Sequence, residues 1–176
     1  MIRAGTTIGP VCRVGGEVEG SILHGYCNKQ HDGFLGHSYI GPWVNLGAGT
    51  INSDLKNTYG TIRVSLNGTP VETGQRFVGA TIGDHAKTGI GTCLPTGAII
   101  GVAANVFTRA PLPKFVPSFA WLTDDGLAAY RPDKAVETAR TVMGRRKVTL
   151  SPAEAALLGA VATQARTIES AGWKNG

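Results

Sequence analysis

The chain has 176 residues, and its 25 glycines with only 5 Phe, 4 Tyr and 3 Trp exclude a core built mainly from bulky aromatic side chains. In the glycine-rich part the basic residues are scattered singly and are not clustered with aromatic residues, so the net charge of +5 does not indicate nucleic-acid binding. No stretch of 18 consecutive apolar residues and no signal-peptide-like run after Met1 is present, so neither membrane insertion nor export is expected.

Two further features of the composition concern the surface and the compartment. Charged residues make up 16% of the chain, a low share for a monomer that must cover itself with solvated side chains. Burial between identical subunits would relieve that shortage. The three cysteines, Cys12, Cys27 and Cys93, are an odd number at wide spacing, which is typical of a reducing cytoplasm rather than of a secreted disulfide framework.

A period of six residues runs through most of the first 110 positions. An aliphatic residue recurs every sixth place, and a small side chain usually follows it four residues later. The aliphatic series is clearest at Ile82, Thr88, Leu94, Ile100 and Val106 and also occurs at Ile2, Ile8, Val14 and at Phe34, Ile40, Leu46. The small series includes Ala86, Thr92, Ala98 and Ala104.

This period fits neither a long helix, which needs apolar spacing near 3.6, nor an amphipathic strand, which needs a period of two. It predicts short strands joined by tight corners, so that three hexads make one triangular coil. Successive coils then stack about 4.8 Å apart, with each aliphatic side chain above its counterpart in the previous coil. We therefore predict an all-β fold, a parallel β-helix of hexapeptide repeats over residues 1–110.

The repeat is interrupted between residues 52 and 76, where turn-forming pairs such as Asn67-Gly68 predict a loop. Long excursions from a rigid scaffold commonly form ligand sites or contact a neighbouring subunit. The proline-rich run that begins at Pro111 predicts an extended strap over 111–131, because proline removes ladder donors. A helical appendage is predicted over 132–172, with two helices; the second begins at the capping box Ser151-Pro152-Ala153-Glu154.

The segment from His31 to Thr50 carries a resemblance to a known family. It contains His31-Asp32-Gly33-Phe34 followed by Asn45-Leu46-Gly47-Ala48-Gly49-Thr50. This pattern resembles the acetyltransferase half of the bifunctional glucosamine-1-phosphate acetyltransferases / N-acetylglucosamine-1-phosphate uridylyltransferases. The similarity covers most of residues 1–110, and the segments 74–79 and 82–85 resemble archaeal members.

The resemblance implies a left-handed β-helix that forms a homotrimer, with acetyl-CoA as co-substrate and no metal. It implies that His31 is the general base that takes a proton from the sugar amine, work that suits an imidazole near neutral pH. Positions matching those that line the acetyl end and the pantetheine arm are Ala48, Ala80 and Ala98. The expected activity is acetyl transfer to an amino-sugar phosphate such as glucosamine 1-phosphate, a step towards UDP-N-acetylglucosamine.

The sugar phosphate has its own predicted contacts. Arg3 matches an arginine that holds the phosphate, and Glu19 and Asn45 match polar groups that contact the sugar. Three departures from the family pattern affect this site. Phe34 replaces a tyrosine, Asp54 replaces an asparagine and is expected to orient the imidazole of His31 or repel a phosphate, and an expected lysine is missing, with Lys29 and Lys56 as substitutes.

Two other functions remain open on the sequence. The departures from the pattern also fit an inactive trimerising or ligand-sensing domain of a sugar nucleotidyltransferase. The four histidines, His24, His31, His37 and His85, also raise the zinc hydratase chemistry of the related γ-class carbonic anhydrases. Relatives usually carry an amino-terminal nucleotidyltransferase domain with a glycine-rich loop that has no match here, so this chain is expected to be one part of such a protein and uridylyl transfer is not assigned to it.

Overall fold

The computed structural model describes residues 1–173 and shows a left-handed parallel β-helix followed by carboxyl-terminal helices, as predicted. The strands of the chain are β1 (Thr7–Ile8), β2 (Arg13–Val14), β3 (Glu17–Glu19), β4 (Ile22–Leu23), β5 (Asn28–Lys29), β6 (Phe34–Gly36), β7 (Tyr39–Ile40), β8 (Ile51–Asn52), β9 (Arg63–Leu66), β10 (Thr69–Glu72), β11 (Thr81–Ile82), β12 (Lys87–Thr88), β13 (Cys93–Leu94), β14 (Ile99–Ile100), β15 (Asn105–Val106), β16 (Phe115–Val116), β17 (Ala120–Thr123) and β18 (Gly126–Ala129). The helices are α1 (Pro132–Gly144), α2 (Pro152–Ile168) and α3 (Ser170–Trp173).

The column has three faces. Face 1 is a sheet of six parallel strands, β1, β4, β7, β11, β14 and β16. Face 2 runs from β2 and β5 through an isolated bridge at Asn45 to β12, β15 and β17. Face 3 contains β3 paired with β6 and β8 paired with β13. Between these two pairs the buried side chain of Asn52 replaces the ladder, because its amide accepts from Gly36 N at 2.8 Å and donates to Gly36 O at 2.9 Å.

The period of six places side chains inside the column as predicted. Ile82, Leu94, Ile100 and Val106 are each at most 2% exposed, and the small side chains of the second series are buried beside them. Each fully buried aliphatic side chain contributes about 1.5–3 kcal/mol, so the stack is the main source of stability. The first coil has no coil beneath it, and therefore Ile8, at an inward position of the repeat, remains 41% exposed.

The proline-rich segment continues the solenoid. This corrects the prediction that its prolines would keep it out of the β-ladder as an extended strap. β16 pairs in parallel with β14, and β17 with β15. The reason is that the segment supplies acceptors where the ladder needs them: Ile99 N donates to Lys114 O at 2.7 Å, and Gly101 N donates to Val116 O at 2.8 Å. Proline lacks the N–H donor but keeps its carbonyl, so prolines at the neighbouring positions do not break this edge.

The excursion between faces 3 and 1 contains an antiparallel hairpin, β9 with β10, rather than an irregular loop throughout. Its turn is Asn67-Gly68, the pair that the sequence marks as a turn, and both residues have positive φ (51° and 85°). Such a turn matches the right-handed twist of a two-stranded ribbon. The hairpin therefore forms from local sequence, although its period-two pattern is too short to stand out.

The carboxyl-terminal helices pack against the corner between faces 1 and 2. Ala135, Ala139 and Met143 of α1 share a buried cluster with Leu158 and Ala162 of α2, and Ala103 and Phe119 of the column complete it. The predicted capping box begins α2: Glu154 N donates to Ser151 Oγ at 3.2 Å, and Ser151 N donates to Glu154 Oε2 at 2.8 Å. Beyond α2, the buried carboxylate of Glu169 accepts from Ser118 N and Oγ at 2.7 and 2.9 Å, which ties the helical segment to the last coil.

Candidate functional site

His31 lies at the exposed corner between faces 2 and 3, directly beneath the Gly-Ala-Gly turn of the next coil. Gly49 N donates to Asp32 O at 3.1 Å, and in the coil above Gly91 N donates to Ala48 O at 2.7 Å. Ile90, the neighbour of Gly91, is 83% exposed. The structure thus brings two of the predicted residues, His31 and Ala48, to one edge of the column, which we call the His31 corner.

A lysine inside the column supports this corner. Lys29 occupies an inward position of face 2 and is 3% exposed, and its Nζ donates to His31 O at 2.7 Å. Burial lowers the pKa of Lys29, because an ammonium loses hydration inside the column. The ammonium of Lys29 therefore contacts the backbone of the His31 corner. It does not lie at the surface, where it would have to be to replace the missing family lysine.

A second histidine, His37, pairs with Asp54, and theirs is the shortest histidine–carboxylate distance among residues 1–173. His37 Nδ1 lies 2.7 Å from Asp54 Oδ2 at the corner between faces 3 and 1, with the side chains 35% and 15% exposed. The imidazole packs against Phe77, with ring centroids 5.0 Å apart. A carboxylate fixes the orientation of an imidazole that must accept or donate a proton, so this pair has the geometry of a general acid or base.

The sequence interpretation missed this pair and placed Asp54 with His31. The two residues are 17 positions apart, which equals the register between neighbouring coils, as in the pairing of Ile22 with Tyr39. One full coil brings residues directly above one another, so the spacing could have identified His37 as the partner. Asp54 orients the imidazole of His37 instead of that of His31.

The predicted phosphate contact at Arg3 lies on face 3 and is already paired. Arg3 Nε donates to Glu17 Oε1 at 2.6 Å, and Glu19 Oε2 lies 4.0 Å away. Phe34 lies on the same face, in the strand that pairs with β3. Two carboxylates beside one guanidinium leave little net positive charge for a phosphate, so an anion would have to displace Glu17.

Two other predicted substrate contacts lie elsewhere in the chain. Asn45 projects from face 2, where its Oδ1 accepts from Asn28 Nδ2 at 2.7 Å. Lys56 lies in the excursion beside the hairpin, and its Nζ donates to the carbonyl of Thr61. A single chain therefore does not assemble Arg3, Asn45 and Lys56 into one site.

The predicted cofactor contacts at Ala80 and Ala98 do not lie on a surface. They are 1% and 2% exposed inside the column, so neither can line a groove for a pantetheine arm, and this placement corrects the expectation. The repeat pattern explains it, because Ala98 belongs to the inward-facing small series. An open groove of about 590 Å³ does run along face 3 from Ile51 and Gly91 to Arg109 and Pro111.

Residues 1–173 contain neither a metal-binding cluster nor a membrane-spanning helix. No group of three His, Cys, Asp or Glu side chains in this part of the chain is arranged to hold a metal ion. Within the same residues, no helix is both long enough and apolar enough to cross a membrane. His24, His31 and His37 are distributed over three different corners of the column, and His85 lies with His24 near the corner of faces 1 and 2.

Comparison with known proteins gives related sequences for about half to two thirds of the chain. A bifunctional sugar-1-phosphate nucleotidylyltransferase/acetyltransferase of Sulfurisphaera tokodaii is 33% identical over 94 residues, 53% of this chain and 23% of that protein. The bifunctional protein GlmU of Methanococcus vannielii is 32% identical over 113 residues, 62% of this chain and 27% of that protein. GlmU of Synechococcus elongatus is 31% identical over 121 residues, 68% of this chain and 23% of that protein.

The chain thus spans about a quarter of the length of these curated relatives. No protein-family model matches it. The resemblance predicted from the His31–Thr50 segment is confirmed, and the named relatives are transferases.

Proposed function

We propose that this chain, a relative of the GlmU-type bifunctional proteins, transfers an acetyl group from acetyl-CoA to the amine of an amino-sugar phosphate such as glucosamine 1-phosphate. The observation that carries the proposal is the His31 corner, where the residues matched to the base and to the acetyl end lie in adjacent coils at an exposed edge. The name of the Sulfurisphaera tokodaii relative includes sugar-1-phosphate nucleotidylyltransferase and acetyltransferase, which supports this choice of donor and acceptor class.

The chemistry follows from the exposed imidazole. His31 removes a proton from the acceptor ammonium, and the free amine nitrogen attacks the thioester carbonyl carbon. A C–N bond forms, the C–S bond breaks, and the thiol of CoA leaves with a proton. The open groove along face 3 begins near Gly91, beside Ala48, and its mainly apolar lining suits the pantetheine arm.

We further propose that the active form is a cytoplasmic homotrimer. The outward positions of face 1 support this, because Thr7, Ile22, Tyr39 and Thr81 are exposed and uncharged, and the remaining outward residues, Ile99 and the buried Phe115, are also uncharged. A neighbouring subunit would also have to supply part of the cleft, because Arg3, Asn45 and Lys56 lie apart within one chain.

The experiment is a paired substitution of the two corner histidines. Acetyl transfer is followed by thiol release from acetyl-CoA with glucosamine 1-phosphate as acceptor. In His31→Ala we expect kcat to fall by about 10²–10⁴-fold, the usual loss for a general base. His37→Ala is the matched control at another corner and should retain at least a tenth of the rate. Unchanged turnover in His31→Ala would remove the assigned role, and a large loss in His37→Ala alone would move it to the His37–Asp54 pair.

A second candidate is acetyl-CoA binding without catalysis, in a ligand-sensing domain. The ion pair of Arg3 with Glu17 and the phenyl ring of Phe34 favour it, since both weaken the predicted sugar-phosphate contacts. Calorimetry with acetyl-CoA separates the candidates when it is combined with the thiol assay. Saturable binding with no thiol release on any amino-sugar phosphate tested would support sensing and contradict catalysis.

A further inference from the structure

A second cavity lies on face 2, underneath the end of α1. Its volume is about 270 Å³, and Val142 of α1 with the segment that follows this helix forms one wall. The polar side chains that line it are Arg13, Asn28, Asn45, Lys87, Arg145 and Arg146. The cavity is formed within one chain, by four coils and the helical segment, and it lies on a different face from the groove and the His37–Asp54 pair.

The lining of this cavity is strongly positive. Four of its side chains are cationic, and no carboxylate lines it. None of the four cations lies within 4.0 Å of a carboxylate in residues 1–173, whereas Arg3, Arg63, Arg109, Arg131 and Lys134 all do. Four like charges around one enclosed space repel one another, and an anion in that space would reverse the sign of the interaction.

Lys87 is fixed by a backbone contact and is desolvated by burial. Its Nζ donates to His85 O at 2.7 Å, and burial lowers its pKa to about 8. Arg146 donates to the carbonyl of Val11, which anchors the segment after α1 across the first coils and holds its guanidinium at the cavity. Lys87 and Arg146, two of the four cations, are therefore held in position before any ligand arrives.

Two neutral amides, Asn28 and Asn45, lie between the cations. Asn28 Nδ2 donates to Asn45 Oδ1 at 2.7 Å, which holds the two side chains together. The neighbouring rings of Tyr26 and Trp43 stack on each other with centroids 4.1 Å apart, so they form a wall and leave little free face for a bound base.

We propose that this cavity binds a small phosphorylated molecule, with a phosphate or diphosphate group held by Arg13, Lys87, Arg145 and Arg146. The bidentate geometry of guanidinium groups suits phosphate oxygens, and the volume admits a compact ligand. The inference does not depend on acetyl transfer, because its test measures binding without acetyl-CoA. It gives Asn45 a ligand-contacting position separate from that of Arg3.

The test is isothermal titration calorimetry of the full chain with inorganic diphosphate and with orthophosphate, at about 0.15 M salt so that diffuse surface attraction is screened. We expect saturable one-to-one binding of diphosphate, tighter than that of orthophosphate. Lys87→Met and Arg145→Gln should each weaken it at least tenfold. Arg140→Gln is the matched control, because it removes one positive charge from α1 outside the cavity and should change the affinity less than twofold.

Melting curves verify that each variant is folded, and Arg145→Gln, at an exposed position, keeps the test valid if Lys87→Met is unstable. No measurable diphosphate binding by the unmodified chain would overturn the proposal. Equal affinities for Arg145→Gln, Arg140→Gln and the unmodified chain would overturn it as well, since they would indicate nonspecific attraction.

Binding should also depend on pH in a defined direction. Since the pKa of Lys87 lies at about 8, its ammonium is lost as pH rises through 8, and a bound anion favours the protonated form. The groups around it are His85, whose pKa burial and Lys87 lower to about 4, Arg13 on face 2, and the two arginines after α1; Glu154 of α2 acts on His85. Because diphosphate itself loses protons over this range, the unmodified chain is compared with Lys87→Met at each pH. The factor by which the unmodified chain binds diphosphate more tightly than Lys87→Met should decrease between pH 7 and 9.

Discussion

At the residue scale, the position of Asp54 beside His37 depends on the absence of one side chain. A Cβ on Gly36 would lie 2.3 Å from Asp54 Oδ2 and 2.4 Å from Phe34 Cζ, far closer than atoms approach without bonding. The backbone of Gly36 is meanwhile fixed by Asn52, which bonds both its N–H and its carbonyl. The backbone cannot retreat, so the two side chains would have to move.

We therefore predict that Gly36→Ala breaks the hydrogen bond between Asp54 and His37 while the column stays folded. The imidazole nitrogen signals of His37 in ¹⁵N-detected NMR should shift in the same direction as in Asp54→Asn, which removes the carboxylate charge directly. Gly144→Ala is the control, since a Cβ there meets nothing within 4 Å. Imidazole signals in Gly36→Ala that match those of the unmodified chain would contradict the predicted displacement.

At the element scale, two glycines have equal space around them and opposite backbone requirements. A Cβ meets nothing within 4 Å at Gly159, in the middle of α2, or at Gly126, at the start of β18. Gly159 has helical geometry, whereas Gly126 has φ +115°, a conformation that side-chain-bearing residues rarely adopt. A comparison of substitutions at the two positions therefore separates the effect of backbone conformation from the effect of side-chain packing.

We expect Gly159→Ala to raise the free energy of unfolding by roughly 0.5–1 kcal/mol, because alanine has the higher helix propensity and restricts the unfolded chain. Gly126→Ala should lower the same quantity by at least a similar amount, because of backbone strain. Urea denaturation at constant slope measures both changes. Changes of the same sign in the two variants would show that contacts, and not backbone conformation, control these positions.

Structural elements that are specified by neighbouring residues could be predicted from the sequence. Elements that depend on residues far away in the chain could not. The inward series at Ile82 and Leu94, the Asn67-Gly68 turn and the capping box at Ser151 all follow from neighbouring residues, and the structure contains each of them. The continuation of the coil through Phe115–Val116 was missed because it depends on which backbone groups the ladder uses. The proline rule about donors does not apply here, because Pro111, Pro113 and Pro117 lie outside the paired residues Phe115 and Val116.

The same distinction applies to the candidate site. The proximity of His31 and Ala48 follows from the repeat, since the two residues are 17 positions apart, which is one coil in this part of the column. To predict that His37 pairs with Asp54, one needs the number of residues in each coil. Irregular corners change that number, for example from 15 between Thr7 and Ile22 to 17 between Ile22 and Tyr39. The cavity on face 2 combines Arg13 with Arg146, and no local pattern in the sequence links positions so far apart.

At the scale of the whole molecule, the three faces differ in how they meet solvent. The carboxyl-terminal helices cover the corner of faces 1 and 2, and face 3 carries Arg3 and two carboxylates. Face 1 is a continuous six-stranded sheet with no charge at its outward strand positions. Its last outward residue, Phe115, is buried in the single chain, whereas Thr7, Ile22, Tyr39 and Thr81 are exposed. An exposed, uncharged sheet surface of this kind normally packs against another surface.

The last prediction concerns that surface. Ile22 and Tyr39 pair across adjacent strands of face 1 and are 45% and 46% exposed in the single chain. If face 1 contacts a neighbouring copy in a closed ring, burying two carboxylates there without partners costs several kcal/mol per interface. The double substitution Ile22→Glu with Tyr39→Glu should therefore convert a species of three times the 18.3 kDa chain mass into monomer, as measured by light scattering after size-exclusion chromatography. Leu157→Glu, at a 62% exposed position of α2, should remain trimeric. A monomeric unmodified chain, or a double variant that stays trimeric, would show that face 1 is not the interface.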